Sequence, residues 1–213
     1  MESGGRGVVD GAFRVLRALP DAGTQQQVAR LAELTGLPRP TVYRLLGQLR
    51  DAGAVEFAGG RWELSSGLLR LARRVEPFAG LREPSATALR VLRAQTGATV
   101  SLVVPSEEAF VSLESVPGVL ATPVDTRSGA AMPAFTAAGV LLGAVPPPVN
   151  RSGGLAVDHG PVMPGMTCYA APVLLPGGGR AALQITSMAG PAERFAAPLH
   201  RAAAALGKHM ASR

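Results

Sequence analysis

The chain has 213 residues, 47% of them hydrophobic, which is enough for one medium domain or two small ones with separate cores. Its 26 glycines and 18 prolines are spread between apolar segments without any period, which excludes a collagen-like or low-complexity chain. The formal net charge of +6 is by itself weak evidence for nucleic-acid binding.

Cysteine, histidine and hydropathy patterns argue against several classes of protein. Cys168 is the one cysteine and has no partner for an internal disulfide, so we expect a cytoplasmic protein. No run reaches the roughly 20 apolar residues of a membrane span, and the first residues lack the pattern of a signal peptide. The three histidines do not have zinc-ligand spacing, so we expect neither metal nor cofactor.

Positive charge is concentrated in one stretch of the chain. Residues 39–74 contain seven arginines against three acidic residues, whereas nine basic and seven acidic residues follow from Glu83 to the end. This local excess is typical of an N-terminal DNA-contacting unit followed by a different domain.

Two helices are predicted before residue 36. The first covers residues 11–19 on the basis of its apolar spacing. Thr24, followed three residues later by Gln27, has the pattern of a capping box and predicts that a second helix starts just before Val28. Gly36 is expected to end it.

A third helix is predicted over residues 39–52. Pro40 is compatible with it because a proline in the first turn loses no intrahelical hydrogen bond. The expected buried positions share one helical face: Val42, Leu45, Leu46 and Leu49.

Short strands and a linker follow. Gly59 and Gly60 can supply the positive φ angles of a two-residue turn, so residues 55–58 and 61–64 predict a β-hairpin. A helix is expected over residues 66–75, a linker over residues 77–84 and a further helix over residues 85–95.

The rest of the chain alternates strand-like and helix-like segments. Strands are predicted over residues 99–104, 109–115, 120–126, 167–175 and 180–187, and helices over residues 133–144 and 191–212. This pattern indicates an antiparallel sheet with flanking helices, an α+β domain.

The second and third predicted helices, joined by a tight glycine turn, have the arrangement of a helix-turn-helix, and the hairpin would be its wing. Arginine and glutamine can form paired hydrogen bonds with guanine and adenine, threonine can contact a thymine methyl, and tyrosine can bind phosphate. The alternative is a three-helix protein-interaction module with a solvated arginine face. The candidate DNA-binding residues are Arg39, Thr41, Tyr43, Arg44, Gln48 and, on the wing, Arg61.

The segment VARLAELTGLPRPTVYRLLGQLRDAGAVE (28–56) resembles the core of the IclR family of bacterial transcription regulators, which contain a winged helix-turn-helix. Pro40 stands where the family usually has serine, so a hydroxyl that could touch phosphate is missing. The details of base recognition are therefore not carried over from the family.

Two later segments resemble the same family: RSGAAMPAFTAAGVLLGA (127–144) and GLAVDHGPVMPGMTCYAAPV (154–173). The resemblance implies a C-terminal GAF-like or PAS-like domain that binds a small effector, commonly an organic or aromatic acid. By position, the residues implied for effector binding are Thr136, Ala137, Asp158, Cys168, Thr186 and Ser187.

The chain departs from the family pattern between Ala144 and Gly154. Only VPPPVNRSG lies there, whereas family members usually have a helical segment that covers one side of the pocket. The short connection leaves three alternatives: a more open pocket, a lid from a partner subunit, or a pocket that binds nothing. In addition, His159 and Pro161 replace the acidic residues usual at these positions.

Several of these residues also have simpler interpretations. Cys168 in a buried strand is typical of a core residue, and no histidine is placed by the sequence to activate it as a nucleophile. Asp158 and His159 could form a turn, as could Glu107 and Glu108. The remaining basic cluster could be a solvated helix face: Arg70, Arg73 and Arg74.

Together these patterns predict a winged helix-turn-helix domain over residues 1–76, a linker over residues 77–84 and an effector-binding and dimerisation domain over residues 85–213. The predicted function is a transcription regulator, a repressor rather than an activator and not an enzyme. Its predicted partners are a double-stranded DNA operator, a small organic or aromatic acid and a second copy of itself, as a homodimer or a dimer of dimers. The alternative is a DNA-binding regulator whose shortened C-terminal domain serves assembly alone.

Overall fold

The structure, a computed structural model, describes residues 7–78, 80–106, 109–143, 146, 148–149, 153–158, 160 and 163–212. The chain divides into two compact units, Met1–Val75 and Glu76–Arg213. Within the described ranges, no helix is long and apolar enough to cross a membrane. The expectations for Glu107, Glu108, His159 and Pro161 concern residues outside these ranges.

Three helices form the core of the first unit: α1 (Val8–Ala18), α2 (Gln27–Thr35) and α3 (Arg39–Asp51). A single 3-10 turn, Leu19–Asp21, extends α1. The apolar face predicted for the third helix is confirmed, since its four predicted positions are buried against α1 and α2. Gly36 ends α2 as predicted, with a φ of 67°.

The predicted hairpin is also confirmed. Strands β1 (Val55–Ala58) and β2 (Arg61–Leu64) pair antiparallel, and Gly59 and Gly60 adopt φ angles of 57° and 81° at the turn. Side chains would be strained at such angles, so glycine suits both turn positions. Helix α4 (Ser66–Ala72) follows and ends three residues before the predicted position.

The predicted capping box at the start of α2 is wrong. Gln26, with a φ of 48°, occupies the N-cap position, and no side chain caps the helix there. The Gln27 side chain instead bonds to the backbone of Trp62 in β2. The Gln27 amide therefore bonds to the backbone N–H and C=O of Trp62, 35 residues away, and not to the start of its own helix as the local pattern predicted.

The second unit begins with α5 (Arg82–Thr96), which starts inside the stretch predicted as a linker. Glu76 accepts the backbone N–H of Arg82 at 3.0 Å, and Leu81 is fully buried just before the helix. Pro84 is compatible with this earlier start because it lies in the first turn.

A six-stranded antiparallel sheet forms the centre of the second unit, in the order β5-β4-β3-β8-β7-β6. This architecture confirms the predicted α+β class. The strands are β3 (Thr99–Pro105), β4 (Phe110–Val116), β5 (Ala131–Met132), β6 (Leu155–Asp158), β7 (Thr167–Leu174) and β8 (Arg180–Ser187).

Helices cover both faces of this sheet. Helix α5 and the last helix, α7 (Ala196–Ala211), pack on one face, and α6 (Ala137–Gly143) packs on the other. Side chains along each strand therefore alternate between two buried environments. In β8, for example, Leu183 faces α5 and α7, whereas Ala182 faces α6.

In the sheet domain, one predicted strand and one predicted helix differ from the structure, and one observed strand is additional. Residues 120–126 form no strand, because Thr122 and Asp125 bond to backbone groups two residues ahead and Pro123 cannot donate to a ladder. The two residues of β5 occupy the edge of β4 instead. The helix predicted over residues 133–144 begins at Ala137, after a turn in which Pro133 accepts the Thr136 N–H. Strand β6 was not predicted.

Candidate nucleic-acid interface and effector cluster

The outward face of α3 presents a row of polar side chains to solvent. Because the opposite face is buried in the helical core, Arg39, Tyr43, Arg44 and Gln48 are exposed and Thr41 is half-buried. Tyr43 is 60% exposed although it is a large aromatic residue. This is the composition expected of a helix that reads base edges and phosphates.

Positive charge on this face is only partly neutralised. On α3, Arg50 pairs with Asp51, whereas neither Arg39 nor Arg44 pairs with an acidic side chain of the described residues. Arg44 Nη1 instead lies 3.4 Å from Gln48 Oε1, one turn along the helix. The two side chains most suited to base contacts are therefore neighbours with an uncompensated charge.

The wing stands beside this face. Arg61 is exposed near its tip and pairs with Glu63. A cleft of about 470 Å³ is lined by residues 24 and 26–29 at the start of α2, by Arg39 and Tyr43 of α3, and by Phe57 of the hairpin. A duplex that received α3 in its major groove could contact the wing with its backbone.

Four of the six predicted effector residues come together on the α6 face of the sheet. Thr136 and Ala137 lie at the start of α6, and Cys168 pairs with Thr186 across β7 and β8. Cys168 Sγ lies 3.6 Å from Thr186 Oγ1. All four residues are almost inaccessible to solvent.

Asp158 and Ser187 do not join this cluster. Asp158 follows Val157 and Ser187 follows Thr186, and both Val157 and Thr186 lie on the α6 face. Because side chains alternate along a strand, Asp158 and Ser187 point to the other face. Asp158 is exposed and its Oδ1 accepts the Gly160 N–H at 2.8 Å, which is the turn that its sequence also suggested. Ser187 Oγ accepts the Ala189 N–H at 3.3 Å.

Hydrogen bonds within the cluster satisfy the start of α6. Thr136 Oγ1 donates to the Pro133 carbonyl at 2.8 Å and accepts the Gly139 N–H at 3.2 Å. Gln184 Oε1 accepts the Ala138 N–H at 2.8 Å. Two backbone N–H groups that a ligand could have met already have side-chain partners.

Comparison with known proteins agrees with this architecture. The family model for the IclR helix-turn-helix domain matches residues 8–59, which span α1 to the wing. The "Probable transcriptional regulator SauR" of Cupriavidus necator is 31% identical over 143 residues, which are 66% of this chain and 57% of SauR. The match thus spans little more than half the length of that curated relative.

Solved structures extend the likeness to the whole fold. An IclR homolog from Microbacterium hydrocarbonoxydans complexed with 4-hydroxybenzoate has a TM-score of 0.81 at 19% identity, covering 97% of this chain and 100% of the other. Thermotoga maritima IclR has a TM-score of 0.69 at 18% identity, covering 95% and 98%. Residues 8–59 therefore match the IclR helix-turn-helix domain, and the fold is that of solved IclR structures. SauR is named as a probable transcriptional regulator, which agrees with the expectation that this chain is not an enzyme.

Gln184, in the IclR-like sheet domain, was not among the residues predicted from the sequence. It lies in the middle of β8, is 1% exposed, and its Nε2 donates to Thr186 Oγ1 at 3.1 Å. The sequence signal was a single amide in the otherwise apolar stretch AALQI. A buried amide needs several partners, and here they come from β8 and from α6.

Burial raises the pKa of the Cys168 thiol above its ordinary value, although hydrogen bonds with the Thr186 side chain and the Ala137 backbone oppose the shift. The thiol is therefore protonated at neutral pH and is a poor nucleophile. This agrees with the interpretation of Cys168 as a core residue of the sheet domain.

Methionines surround the cluster on the α6 face. Met132 Sδ lies 3.9 Å from Gln184 Nε2, and Met166 is fully buried. Met163 and Met188 pack against the same core. Methionine side chains adapt to neighbours of different shape, so this core can repack more readily than one made of branched residues.

Proposed function

We propose that this protein is a sequence-specific DNA-binding transcription regulator that represses its target and acts in the cytoplasm. The observation that carries the proposal is the exposed polar row of α3 beside the wing, in which Arg39 and Arg44 have no acidic partner among the described residues. Unpaired arginines on a helix shaped for the major groove are suited to both phosphates and bases.

The side chains of this surface have different roles in the proposal. Arg44 and Gln48 read base edges, because guanidinium and amide groups form paired hydrogen bonds with guanine and adenine. Thr41 contacts a thymine methyl, and Tyr43 and Arg39 hold backbone phosphates at the entry of the helix. Arg61 extends the phosphate contacts from the wing.

We propose that two copies bind one operator, as a homodimer or a dimer of dimers. Apolar side chains on the outer face of α1 support this, since Val9 is 70% and Phe13 is 54% exposed. A second copy that covered this face would remove apolar surface from water. Half-sites are then expected one DNA turn or a multiple apart, with about 34 to 36 Å per turn.

Selection of bound sequences from a random DNA pool, followed by footprinting, tests the DNA-binding proposal. A site with two related halves at that spacing is expected. Arg44→Ala should weaken binding to this site, whereas Arg201→Ala, at an exposed position of α7 in the second unit, should leave it unchanged. Recovery of no preferred sequence would count against the proposal.

We further propose that the second unit responds to a small organic or aromatic acid. The solved relative of matching fold that holds 4-hydroxybenzoate supports this class of effector. The buried polar groups of Thr136, Gln184 and Thr186 could bind a carboxylate or hydroxyl, and the surrounding methionines could make room for a ring.

The alternative function, assembly without an effector, rests on a specific observation. The N–H groups of Ala138 and Gly139 already have side-chain partners, and Thr136, Cys168 and Thr186 are almost inaccessible. A thermal-shift panel of small organic acids separates the two functions, because a ligand that binds only the folded state raises the melting temperature. No shift with any acid favours assembly alone.

A further inference from the structure

Among the residues that the structure describes, β2 pairs with β1 alone, so one edge of β2 has no neighbouring strand. The two-residue turn makes Ala58 and Arg61 the hydrogen-bonded pair next to it, since the residues that flank such a turn exchange both backbone bonds. Phe57 and Trp62 form the next pair, whose backbone groups point away from the partner strand. The N–H and C=O of Trp62 therefore face the free edge of β2.

Gln27 fills this position from 35 residues away. Its Nε2 donates to the Trp62 carbonyl at 2.9 Å, and its Oε1 accepts the Trp62 N–H at 2.8 Å. Among side chains, a primary amide holds a donor and an acceptor side by side, so it pairs with both groups as a residue of a third strand would. A two-stranded hairpin is marginally stable alone, so this bridge matters for its position.

The two hydrogen bonds between Gln27 and Trp62, the amide bridge, join the wing to the first turn of α2, which is the first helix of the helix-turn-helix. Gln27 is the first residue of α2 and is 9% exposed, so water does not compete fully for its bonds. The Trp62 ring packs edge-on against Phe57, with ring centroids 5.2 Å apart. Arg61 directly precedes Trp62, and its side chain takes its direction from the same stretch of backbone.

We propose that Gln27 is the positioning residue of the wing, fixing the place at which Arg61 meets the DNA backbone. This inference rests on the proposed DNA-binding function. The proposed role of Gln27 requires no direct contact between its side chain and a base or phosphate. Its effect reaches the DNA through the backbone of β2, so its loss should change the wing contact and leave the reading of bases by α3 in place.

The first test needs no DNA, because Trp62 is the one tryptophan of the chain and its fluorescence reports on the wing. Gln27→Met keeps the side-chain length and removes both the donor and the acceptor. We expect a red-shifted emission maximum and a larger acrylamide quenching constant than in the wild type. Gln25→Met is the matched control, since Gln25 is exposed on the same segment. Equal quenching in wild type and Gln27→Met would overturn the bridge.

A second variant distinguishes hydrogen bonding from packing. Gln27→Glu has nearly the same shape, but its carboxylate lacks a donor and repels the Trp62 carbonyl at neutral pH. Its quenching should resemble that of Gln27→Met at neutral pH and return toward the wild-type value near pH 4, where a protonated carboxyl regains a donor (ordinary pKa about 4.3). Wild-type quenching of Gln27→Glu at neutral pH would mean that Gln27 only fills space.

The second test measures binding to the selected operator as a function of salt. Gln27→Met should weaken binding by about tenfold, the scale of one lost hydrogen-bonded contact. The plot of log affinity against log salt should become less steep by about 0.9, which corresponds to the loss of one phosphate contact. Arg61→Ala should have little further effect in the Gln27→Met background, because the contact is already lost.

Failure of the positioning role and failure of the proposed DNA-binding function give different results in these experiments. A full additional loss from Arg61→Ala in the Gln27→Met background, or an unchanged salt slope, would overturn the positioning role while leaving the proposed function in place. Absence of DNA binding by the wild type would overturn the proposed function and the DNA role of Gln27 with it. The quenching comparison decides in either case whether the amide bridge holds the wing.

Discussion

The side-chain oxygen of Gln184 in β8 accepts the backbone N–H of Ala138 in α6 at 2.8 Å, across 46 residues of sequence. The same amide donates to Thr186 Oγ1 at 3.1 Å. One side chain thus connects the first turn of a helix to the strand beneath it. The connection is buried, since Gln184 is 1% exposed, and both ends would be costly to leave without partners.

Gln184→Leu should destabilise the second unit. The substitution keeps most of the side-chain volume but leaves the Ala138 N–H buried without its acceptor, a loss of about 1 to 3 kcal/mol in the free energy of unfolding. Urea unfolding followed by circular dichroism measures the change. Gln95→Leu, at an exposed position of α5, is the matched control and should stay within about 0.5 kcal/mol of wild type. Equal midpoints for both variants would show that the bond adds no stability.

Arg44 and Gln48 should act as a coupled pair in base recognition. Arg44 Nη1 lies 3.4 Å from Gln48 Oε1, so each side chain restricts the other. Each single alanine variant should relax the preference at one base position at a cost of about 1 to 3 kcal/mol. The double variant should lose less than the two single losses added together, because residues in contact are not independent. Binding to a set of single-base operator variants measures this, and uniform losses on every sequence would assign both side chains to phosphate instead.

His200 should lower the free energy of unfolding of the second unit at acid pH. Its Nε2 lies 2.8 Å from the buried Tyr169 hydroxyl, and partial burial lowers the pKa of His200 below its ordinary value of 6.5. The unfolded chain therefore takes up this proton first as the pH falls. The stability linked to His200 is fully present above pH 6.5 and is lost as the pH drops through the folded-state pKa.

Urea midpoints at about pH 7.5 and about pH 5 measure this dependence, because histidine titrates between them. The fall in stability between the two values should be smaller in His200→Gln than in wild type, since glutamine keeps a polar group but takes up no proton. His209→Gln, on the exposed side of α7, should keep the wild-type fall. Identical falls in wild type and His200→Gln would refute the prediction.

Local patterns predicted those parts of the fold whose interactions are close in sequence. The apolar spacing of α3 and the paired glycines of the wing act within a few residues, so the sequence was sufficient for both. Thr24 and Gln27 also had a local pattern, but the Gln27 amide found two better-placed backbone groups on Trp62, which no local rule includes. Strand β6 has four residues, and only its pairing with β7 makes it a strand.

The same limit applies to the candidate effector cluster. The sequence placed Thr136, Cys168 and Thr186 in one region, because a family resemblance contains information about distant contacts. It could not show that Gln184 joins them, since its partner on α6 is 46 residues away. It also could not show that Asp158 faces the other way, because the orientation depends on the register of β6 against β7.

The effector proposal makes Thr136 the residue on which binding should depend. Thr136 Oγ1 lies at the start of α6 and is engaged by the Pro133 carbonyl and the Gly139 N–H. A ligand carboxylate or hydroxyl that reached the cluster would have to exchange one of these bonds for its own. Because this exchange has a cost and the ligand must also displace methionine side chains, we expect micromolar or weaker affinity.

Calorimetry with 4-hydroxybenzoate and related small acids tests this expectation on three proteins. Wild type and Thr136→Ser should both give binding heat, since serine keeps the hydroxyl at the same backbone position. Thr136→Val has the shape of threonine without a hydrogen-bonding group, so its binding heat should be lost. DNA affinity of the unliganded protein should be the same in all three, because Thr136 belongs to the second unit and the polar row of α3 to the first. The serine variant is the control for the γ-methyl group of threonine, since it can still bond to both Pro133 and Gly139. Heat that persists in Thr136→Val would place the ligand elsewhere, and absence of heat in wild type with every acid would leave assembly as the function of the second unit.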